Sequence, residues 1–258
     1  MHRERGDVGR PDDPADRKCG AQLIASFVEV ITGASQGIGA ALVAGYRARG
    51  WAVVASARTI RPAEDPDVLT VNGDITEPAT ADRIVGGALD RFGRLDTLIN
   101  NAGVYVSKPF TDYTAEDYAT VVGVNLTGFF WLTRRAIAEM STRYGGHVVN
   151  ISATLAEVAN SSEPAVLPAL TKGGLAAATR SLAIEYASRG IRVNAVSPGI
   201  IQTPAHPPES YEGLDGRLPP LGRVGQVADV VDGILFLESS PYITGEILHI
   251  DGGQIAGH

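Results

Sequence analysis

The stretch "VITGASQGIGAAL" constrains this chain more than any other, because Gly33, Gly37 and Gly39 stand between an apolar β-rich run and an apolar helical one. A strand that turns directly into a helix this way presents backbone N–H groups and a helix N-terminus to one point in space. That arrangement favours a diphosphate, and glycines let the ligand approach the backbone. The spacing is G-x-x-x-G-x-G rather than G-x-G-x-x-G. The segment taken alone is therefore either a phosphate seat or a plain glycine-rich turn, and the rest of the chain has to decide.

The rest of the chain alternates strand-like and helix-like stretches. "FVEVIT" predicts a strand, with Glu29 an unusual occupant, and "IGAALVAGYRARG" a helix closed by Gly50. "WAVVASA" and "VLTVNGDI" predict the second and third strands. A helix is expected around 79–92, then a fourth strand and its turn in "LDTLINNAG". Thr114 to Asp117 reads as a capping box opening a long helix to about Arg143. "GHVVNIS" is the fifth strand, and a second long helix is expected to open at Pro168 and end near Gly190. Leu175, Ala178, Leu182 and Tyr186 would share one of its faces. "IRVNAVSPG" is the sixth strand, and a Pro-rich loop, a helix around 226–239 and the strand "EILHIDGG" complete the series. This βαβ alternation predicts an α/β fold: a single Rossmann-like, doubly wound, parallel seven-stranded sheet flanked by helices.

The chain has 258 residues, enough for one such domain, assigned here to 23–258. Residues 1–22 are charged and rich in Gly, Pro and Asp, and a disordered tail is expected there. A net charge of −7 argues against nucleic acid as partner. The single cysteine, Cys19, allows no intrachain disulfide, which fits the cytoplasm, and no apolar run reaches membrane-span length. No metal site is read from the sequence.

The end of the second strand bears on the cofactor. A dinucleotide site that prefers NAD usually carries an acid there for the adenosine ribose hydroxyls. This chain has Ala57 followed by Arg58, and a cation suits a 2′-phosphate, so NADP is favoured over NAD. The bland alternative is that Arg58 caps an exposed loop.

Taken in order, "TGASQGIG", "NGDIT", "INNAG", "VNLTG", "VVNIS", "TKGG", "IRVNAVSPGIIQT" and "HIDGG" resemble the short-chain dehydrogenase/reductase family, over residues 27 to 256. The resemblance implies that Gly33, Ser35, Gln36, Gly37, Ile38 and Gly39 hold the diphosphate. It implies that Asp74 and Ile75 meet the adenine and that Asn101, Ala102 and Gly103 lie along the cofactor. Pro198, Ile200 and Thr203 would hold the nicotinamide carboxamide. It further implies hydride transfer at a carbonyl or alcohol carbon of a small-molecule substrate, and a homotetramer or homodimer joined through the long helices at 115–143 and 168–188 and the terminal strand.

Four catalytic positions belong to the resemblance: an asparagine that organises a relay water, a serine that holds the substrate oxygen, a tyrosine that gives the proton, and a lysine four residues later. Asn125 matches the first. Asparagine is a poor helix-interior residue, which itself argues for a role. Lys172 matches the last and also implies a contact with the nicotinamide ribose. It sits in a first helical turn, where it opposes the macrodipole. The serine falls one place early, as Ser152-Ala153, with Thr154 following. The tyrosine position is Pro168, and no tyrosine lies between Tyr144 and Tyr186.

The residues leave three readings open. The chain is a reductase whose acid comes from elsewhere: Tyr105, Tyr211, His206, a water between Asn125 and Lys172, or Lys172 itself. Or it binds NADP as a sensor or scaffold without turnover. Or the fold hosts other chemistry, such as elimination, against which "PGIIQT" argues. The first is preferred, because a pure binding module has little use for Asn125. The stretch "TLAEVANSS" offers no charge clamp, so a small uncharged carbonyl compound is the expected substrate.

Overall fold

The structure is a computed structural model that describes residues 27–143, 145–159, 163–204 and 218–257. The expected tail at 1–22, His206 and Tyr211 lie outside the described residues. The elements run β1 (Val28–Thr32), α1 (Gly37–Arg47), β2 (Ala52–Ala57), β3 (Val68–Asn72), α2 (Pro78–Phe92), β4 (Thr97–Asn100), α3 (Ala115–Val122), α4 (Phe129–Met140), β5 (Gly146–Ile151), α5 (Val166–Tyr186), β6 (Ile191–Pro198), β7 (Ile201–Gln202), β8 (Gly225–Gln226), α6 (Val227–Glu238) and β9 (Ile247–Ile250). Seven strands form one parallel sheet in the order β3-β2-β1-β4-β5-β6-β9, as the alternation predicts.

Strands covered on both faces read as continuous apolar runs, and β1 is buried at all five positions. One face packs Ile31, Val53 and Ile99 under Leu42 and Tyr46 of α1 and Ile234 and Leu237 of α6. The other packs Val30, Val54, Leu98 and Val148 under Ile84 and Val85 of α2 and Leu132 and Met140 of α4. β1 pairs with β2 on one side and β4 on the other, so the sheet changes its direction of growth after β3. Ligands of open α/β sheets bind at such a switch point, beyond the carboxyl ends of the strands.

Two details depart from the expectation. The long helix from Ala115 is not continuous: a π-helical turn, Gly123–Gly128, separates α3 from α4. Its capping box is present, with Asp117 N donating to Thr114 Oγ1 at 3.1 Å and Thr114 N donating to the Asp117 carboxylate at 2.9 Å. α5 begins at Val166, two residues before Pro168, which fits inside the first turn where its missing N–H costs nothing. The buried stripe of α5 is Leu175, Ala176, Thr179 and Ala183. Ala178, Leu182 and Tyr186 share a half-buried face that lines a groove against α4, with Leu182 and Tyr186 packed on the core, as their spacing predicts.

At the amino ends of the strands lies a buried polar cluster. Glu238 Oε2 accepts from Tyr46 Oη (3.1 Å), Thr97 Oγ1 (3.1 Å) and His147 Nδ1 (3.0 Å). Burial holds the His147 imidazole below its ordinary pKa. Glu29 is fully buried beside this cluster, and among the described residues neither carboxylate oxygen has a hydrogen-bond partner. Burial first, then the charge of Glu238, push its pKa well above the usual carboxylate range, with Arg47 and Arg49 opposing. Such a position disfavours the charged carboxylate.

Candidate active site

The glycine turn is built by three segments locking together. Gly33 and Gly37 adopt φ of +64° and +57°, left-handed conformations that L side chains rarely take. The Asn101 amide donates to the carbonyls of Thr32 (2.8 Å) and Gly33 (3.2 Å), which pins the turn after β4 to the turn after β1. Thr32 Oγ1 accepts from the backbone N–H groups of Asn101 (3.0 Å) and Ala102 (2.9 Å). Gly39 sits where a Cβ would stand 2.3 Å from the Gly33 carbonyl oxygen, so α1 approaches β1 as closely as backbones allow. No side chain caps α1, which leaves first-turn N–H groups for an anion.

A cleft of about 680 Å³ opens over this turn at the carboxyl ends of the strands. Of the predicted cofactor residues, Gly33, Ser35, Gln36, Gly37, Ile38, Arg58, Asp74, Ile75, Asn101, Ala102, Gly103 and Thr203 line it. Gly39 lies behind the turn as a close-packing residue, and Pro198, Ile200 and Lys172 are not on this lining. Ile200 borders a separate cavity with Leu221, His249 and Asp251. The cleft also takes in Thr32, Ser56, Ala57, Thr59, Gly73, Val104 and Val124, which the motifs did not single out. Their signal was adjacency, since each stands within two residues of a predicted position.

The adenosine end of the cleft is charged. Arg58 is exposed and makes no hydrogen bond or ion pair among the described residues. Asp74 Oδ1 accepts from Thr76 N at 2.9 Å. That bond, the Thr76 hydroxyl and the Arg58 charge hold the Asp74 carboxyl below its usual range. The residues thus fit a dinucleotide with an extra phosphate: first-turn helix N–H groups without a side-chain cap, two left-handed glycines and an exposed guanidinium.

At the other end, Gly103 meets Asn125 and Lys172. A Cβ on Gly103 would lie 3.2 Å from Lys172 Nζ and 3.5 Å from Asn125 Oδ1. Asn125, in the π-helical turn, is buried and fully engaged. Its amide nitrogen donates to the Val104 carbonyl (3.0 Å) and Thr171 Oγ1 (3.1 Å), and its oxygen accepts from Val104 N (2.9 Å). Lys172 Nζ donates to the Ile151 carbonyl at 2.6 Å. The residue keeps some exposed surface, but the ammonium itself lies deep, and desolvation lowers its pKa to about 8.

Ser152 is placed differently from its neighbours. It is buried, and its hydroxyl donates to the Lys172 main-chain carbonyl at 3.2 Å, tying β5 to α5. Pro168 is buried one turn before Lys172 and accepts at its carbonyl from Thr171 Oγ1 (3.0 Å). Tyr105, just beyond Gly103, donates its hydroxyl to Glu163. Burial, then that bond and charge, raise its pKa, away from useful acidity. Ser107 Oγ also donates to the Pro164 carbonyl (2.8 Å), so two bonds join the segment after β4 to the one before α5. The imidazole of His147 belongs to the cluster around Glu238, and His249 pairs with Glu157 at 3.0 Å. Among the described residues no group of three or more His, Cys, Asp or Glu could hold a metal ion, and no helix is long and apolar enough to cross a membrane.

Comparison with known proteins adds to this geometry. The family described as enoyl-(acyl carrier protein) reductase matches residues 33–254. The chain is 36% identical over 250 residues to 3beta-hydroxysteroid dehydrogenase 1 of Eggerthella lenta, covering 87% of this chain and 92% of that protein. The solved structure of ElxO with NADP bound superposes with a TM-score of 0.81 at 27% identity, over 90% of this chain and 99% of that one. A 3-ketoacyl-(acyl-carrier-protein) reductase from Brucella melitensis complexed with NADH superposes with a TM-score of 0.82 at 30% identity, over 90% and 99%.

Proposed function

The chain belongs to the short-chain dehydrogenase/reductase family, and from that premise we propose that it is an NADP(H)-dependent oxidoreductase acting on a small uncharged carbonyl compound or the corresponding alcohol. The observation that carries this reading is the single cleft. It gathers the glycine turn, Arg58, Asp74 and the Asn101–Gly103 turn, and ends where Asn125 and Lys172 stand together. When bound, the dinucleotide supplies or accepts a hydride at its nicotinamide ring. The helix α1 N-terminus binds its diphosphate, and Arg58 takes the 2′-phosphate. The amide of Asn125 fixes the π-helical turn against Val104, and Lys172 holds a proton at Nζ. Ser152 acts as a brace, orienting the first turns of α5 through the Lys172 carbonyl.

Hydride positioning and proton transfer are separable contributions. A positioned acid typically adds about 10²–10⁴ in rate. Losing the phenol at position 168 therefore slows turnover without removing the positioning part. A second reading, an NADP-binding sensor or scaffold, is favoured by that same Pro168 and by the Ser152 hydroxyl facing α5. The two separate in one experiment: NADPH binding is followed by its fluorescence, and its consumption by absorbance with a panel of aldehydes, ketones and quinones. Binding with consumption supports the enzyme, and tight binding with none supports the sensor.

Arg58 gives a sharper expectation. A charge-assisted hydrogen bond is worth about 1.5–3 kcal/mol. Arg58→Ala should therefore weaken NADPH binding about 10- to 100-fold while leaving NADH unchanged, in parallel titrations. Equal loss for both cofactors would remove Arg58 from the phosphate site. The family reading also assigns self-association to the α4–α5 faces, where Phe130 is exposed beside Leu182 and Tyr186. Sedimentation of wild type and Phe130→Glu should show a dimer or tetramer that the charge dissociates.

A further inference from the structure

Resting on the reductase reading above, we propose that the ε-ammonium of Lys172 itself delivers the proton to the substrate oxygen, in the role that Pro168 cannot fill. The geometry around Nζ points to this. One of its three N–H bonds is engaged, to the Ile151 carbonyl at 2.6 Å, which leaves two for other acceptors. The group stands against Gly103, a residue that lines the dinucleotide cleft: a Cβ there would lie 3.2 Å from Nζ.

The other hydroxyls and amides nearby are committed elsewhere. Thr171 Oγ1 donates to the carbonyls of Leu167 (3.3 Å) and Pro168 (3.0 Å). Ser152 Oγ donates to the Lys172 carbonyl. Both amide hydrogens of Asn125 are used. Tyr105 donates to Glu163.

Among the described residues, the elements packed around Lys172 bring neutral groups to it. β5 offers the Ile151 carbonyl and Ser152, the π-helical turn offers Asn125, and the turn after β4 offers Gly103. The ionisable groups on the flanking loops are Tyr105 and Glu163, paired with each other, and Glu157, paired with His249 and Ser197. Among the described residues no carboxylate stabilises the ammonium, and desolvation lowers its pKa to about 8. A proton donor poised near ambient pH is what general acid–base chemistry requires.

The step balances without further reagents. As the substrate carbon accepts hydride, the carbonyl π pair moves onto oxygen. The Lys172 Nζ–H bond breaks, the O–H bond forms, and a neutral amine remains, which regains a proton from water in the cleft. In the oxidative direction the neutral amine removes the hydroxyl proton. Reduction therefore needs the charged form and oxidation the neutral one.

The chain has three lysines, Lys18, Lys108 and Lys172, which makes a direct test practicable. Protein labelled with [ε-¹³C]lysine is titrated by NMR, and the Lys172 signal is identified by its absence from Lys172→Arg. The expected midpoint is near 8, against about 10.4 for a free lysine. In NADPH-driven reduction, kcat should stay flat below that midpoint and fall tenfold per pH unit above it. A solvent deuterium isotope effect on kcat is expected as well. Lys172→Arg keeps the charge and its donors but cannot titrate, so its kcat should drop about a hundredfold and the pH limb should vanish.

A limb that survives in Lys172→Arg, or an NMR midpoint near that of free lysine with turnover intact, overturns the proposal and leaves the reductase reading standing. NADPH binding with no consumption across the carbonyl panel overturns both. The NMR midpoint and the wild-type pH profile do not depend on the variant folding.

Discussion

Gly39→Ala is expected to weaken NADPH binding about a hundredfold and to lower the melting temperature by about 6–12 °C. The added methyl would stand 2.3 Å from the Gly33 carbonyl oxygen and 2.7 Å from the Asn101 amide nitrogen. Neither neighbour can yield cheaply: one is backbone, and the other holds the turn through two hydrogen bonds. Overpacking of this kind costs about 1–3 kcal/mol. At about 2–4 °C per kcal/mol for a domain of this length, the upper end of that cost gives the stated shift. Displacing the α1 N-terminus by even a few tenths of an ångström loosens the diphosphate seat, and about 2.8 kcal/mol of lost binding is a factor of a hundred. The control is Gly86→Ala. Gly86 lies inside α2 and has nothing within 4 Å of its Cβ position. There the same change should stabilise the protein by up to about 1 kcal/mol, because alanine is the better helix former. Thermal melts and a fluorescence titration read both variants. Wild-type affinity in Gly39→Ala would show that the turn is not built as described.

The second large effect is a gain. Glu29→Gln should raise stability at pH 7–8 and flatten its dependence on pH. In the unfolded chain this carboxyl ionises near its ordinary pKa, whereas burial, then the Glu238 charge, raise its pKa well above that range in the fold. A group whose folded pKa is raised contributes most below its unfolded pKa. That contribution is lost as pH rises toward the folded value, at a limiting slope of about 1.4 kcal/mol per pH unit. Glutamine keeps the shape and cannot ionise. His147 acts in the opposite sense: burial lowers its pKa, so its share of stability is present above the unfolded value and is lost as pH falls through the folded one. Wild-type stability should therefore decline on both sides of a maximum, and Glu29→Gln should remove only the alkaline decline. Chemical denaturation at a series of pH values tests this. A variant curve parallel to wild type above pH 6 would mean that Glu29 is ionised in the fold.

How legible these features were depends on the range of the interaction behind them. The glycine turn, the Thr114 capping box and the Ala57-Arg58 strand end are set by residues close in sequence, and each stands where the pattern put it. The parallel, doubly wound sheet followed from alternation and the handedness of crossovers, and the structure supplies its strand order. What escaped was decided by distant partners. The π-helical turn has no period of its own, because it exists to let Asn125 reach Val104 and Thr171, 21 and 46 residues away. Ser152 could be seen to stand one place early, but not that its hydroxyl would turn into α5. Glu29 was visibly out of place in a strand, yet its neighbour Glu238 lies at the far end of the chain. The shared face of Leu175, Ala178, Leu182 and Tyr186 was legible from helical spacing, but not that its last three residues would be only half-buried beside α4.

The extra residue held in the stretch Gly123–Gly128 has one more consequence. Each residue of an α-helix turns the chain by about 100°. Shortening this stretch by a single residue would therefore rotate Leu132, Ala136 and Met140 away from the sheet while withdrawing Asn125 from Gly103. Side chains there can be exchanged one at a time, but its length cannot change without unfastening core and cleft in the same stroke.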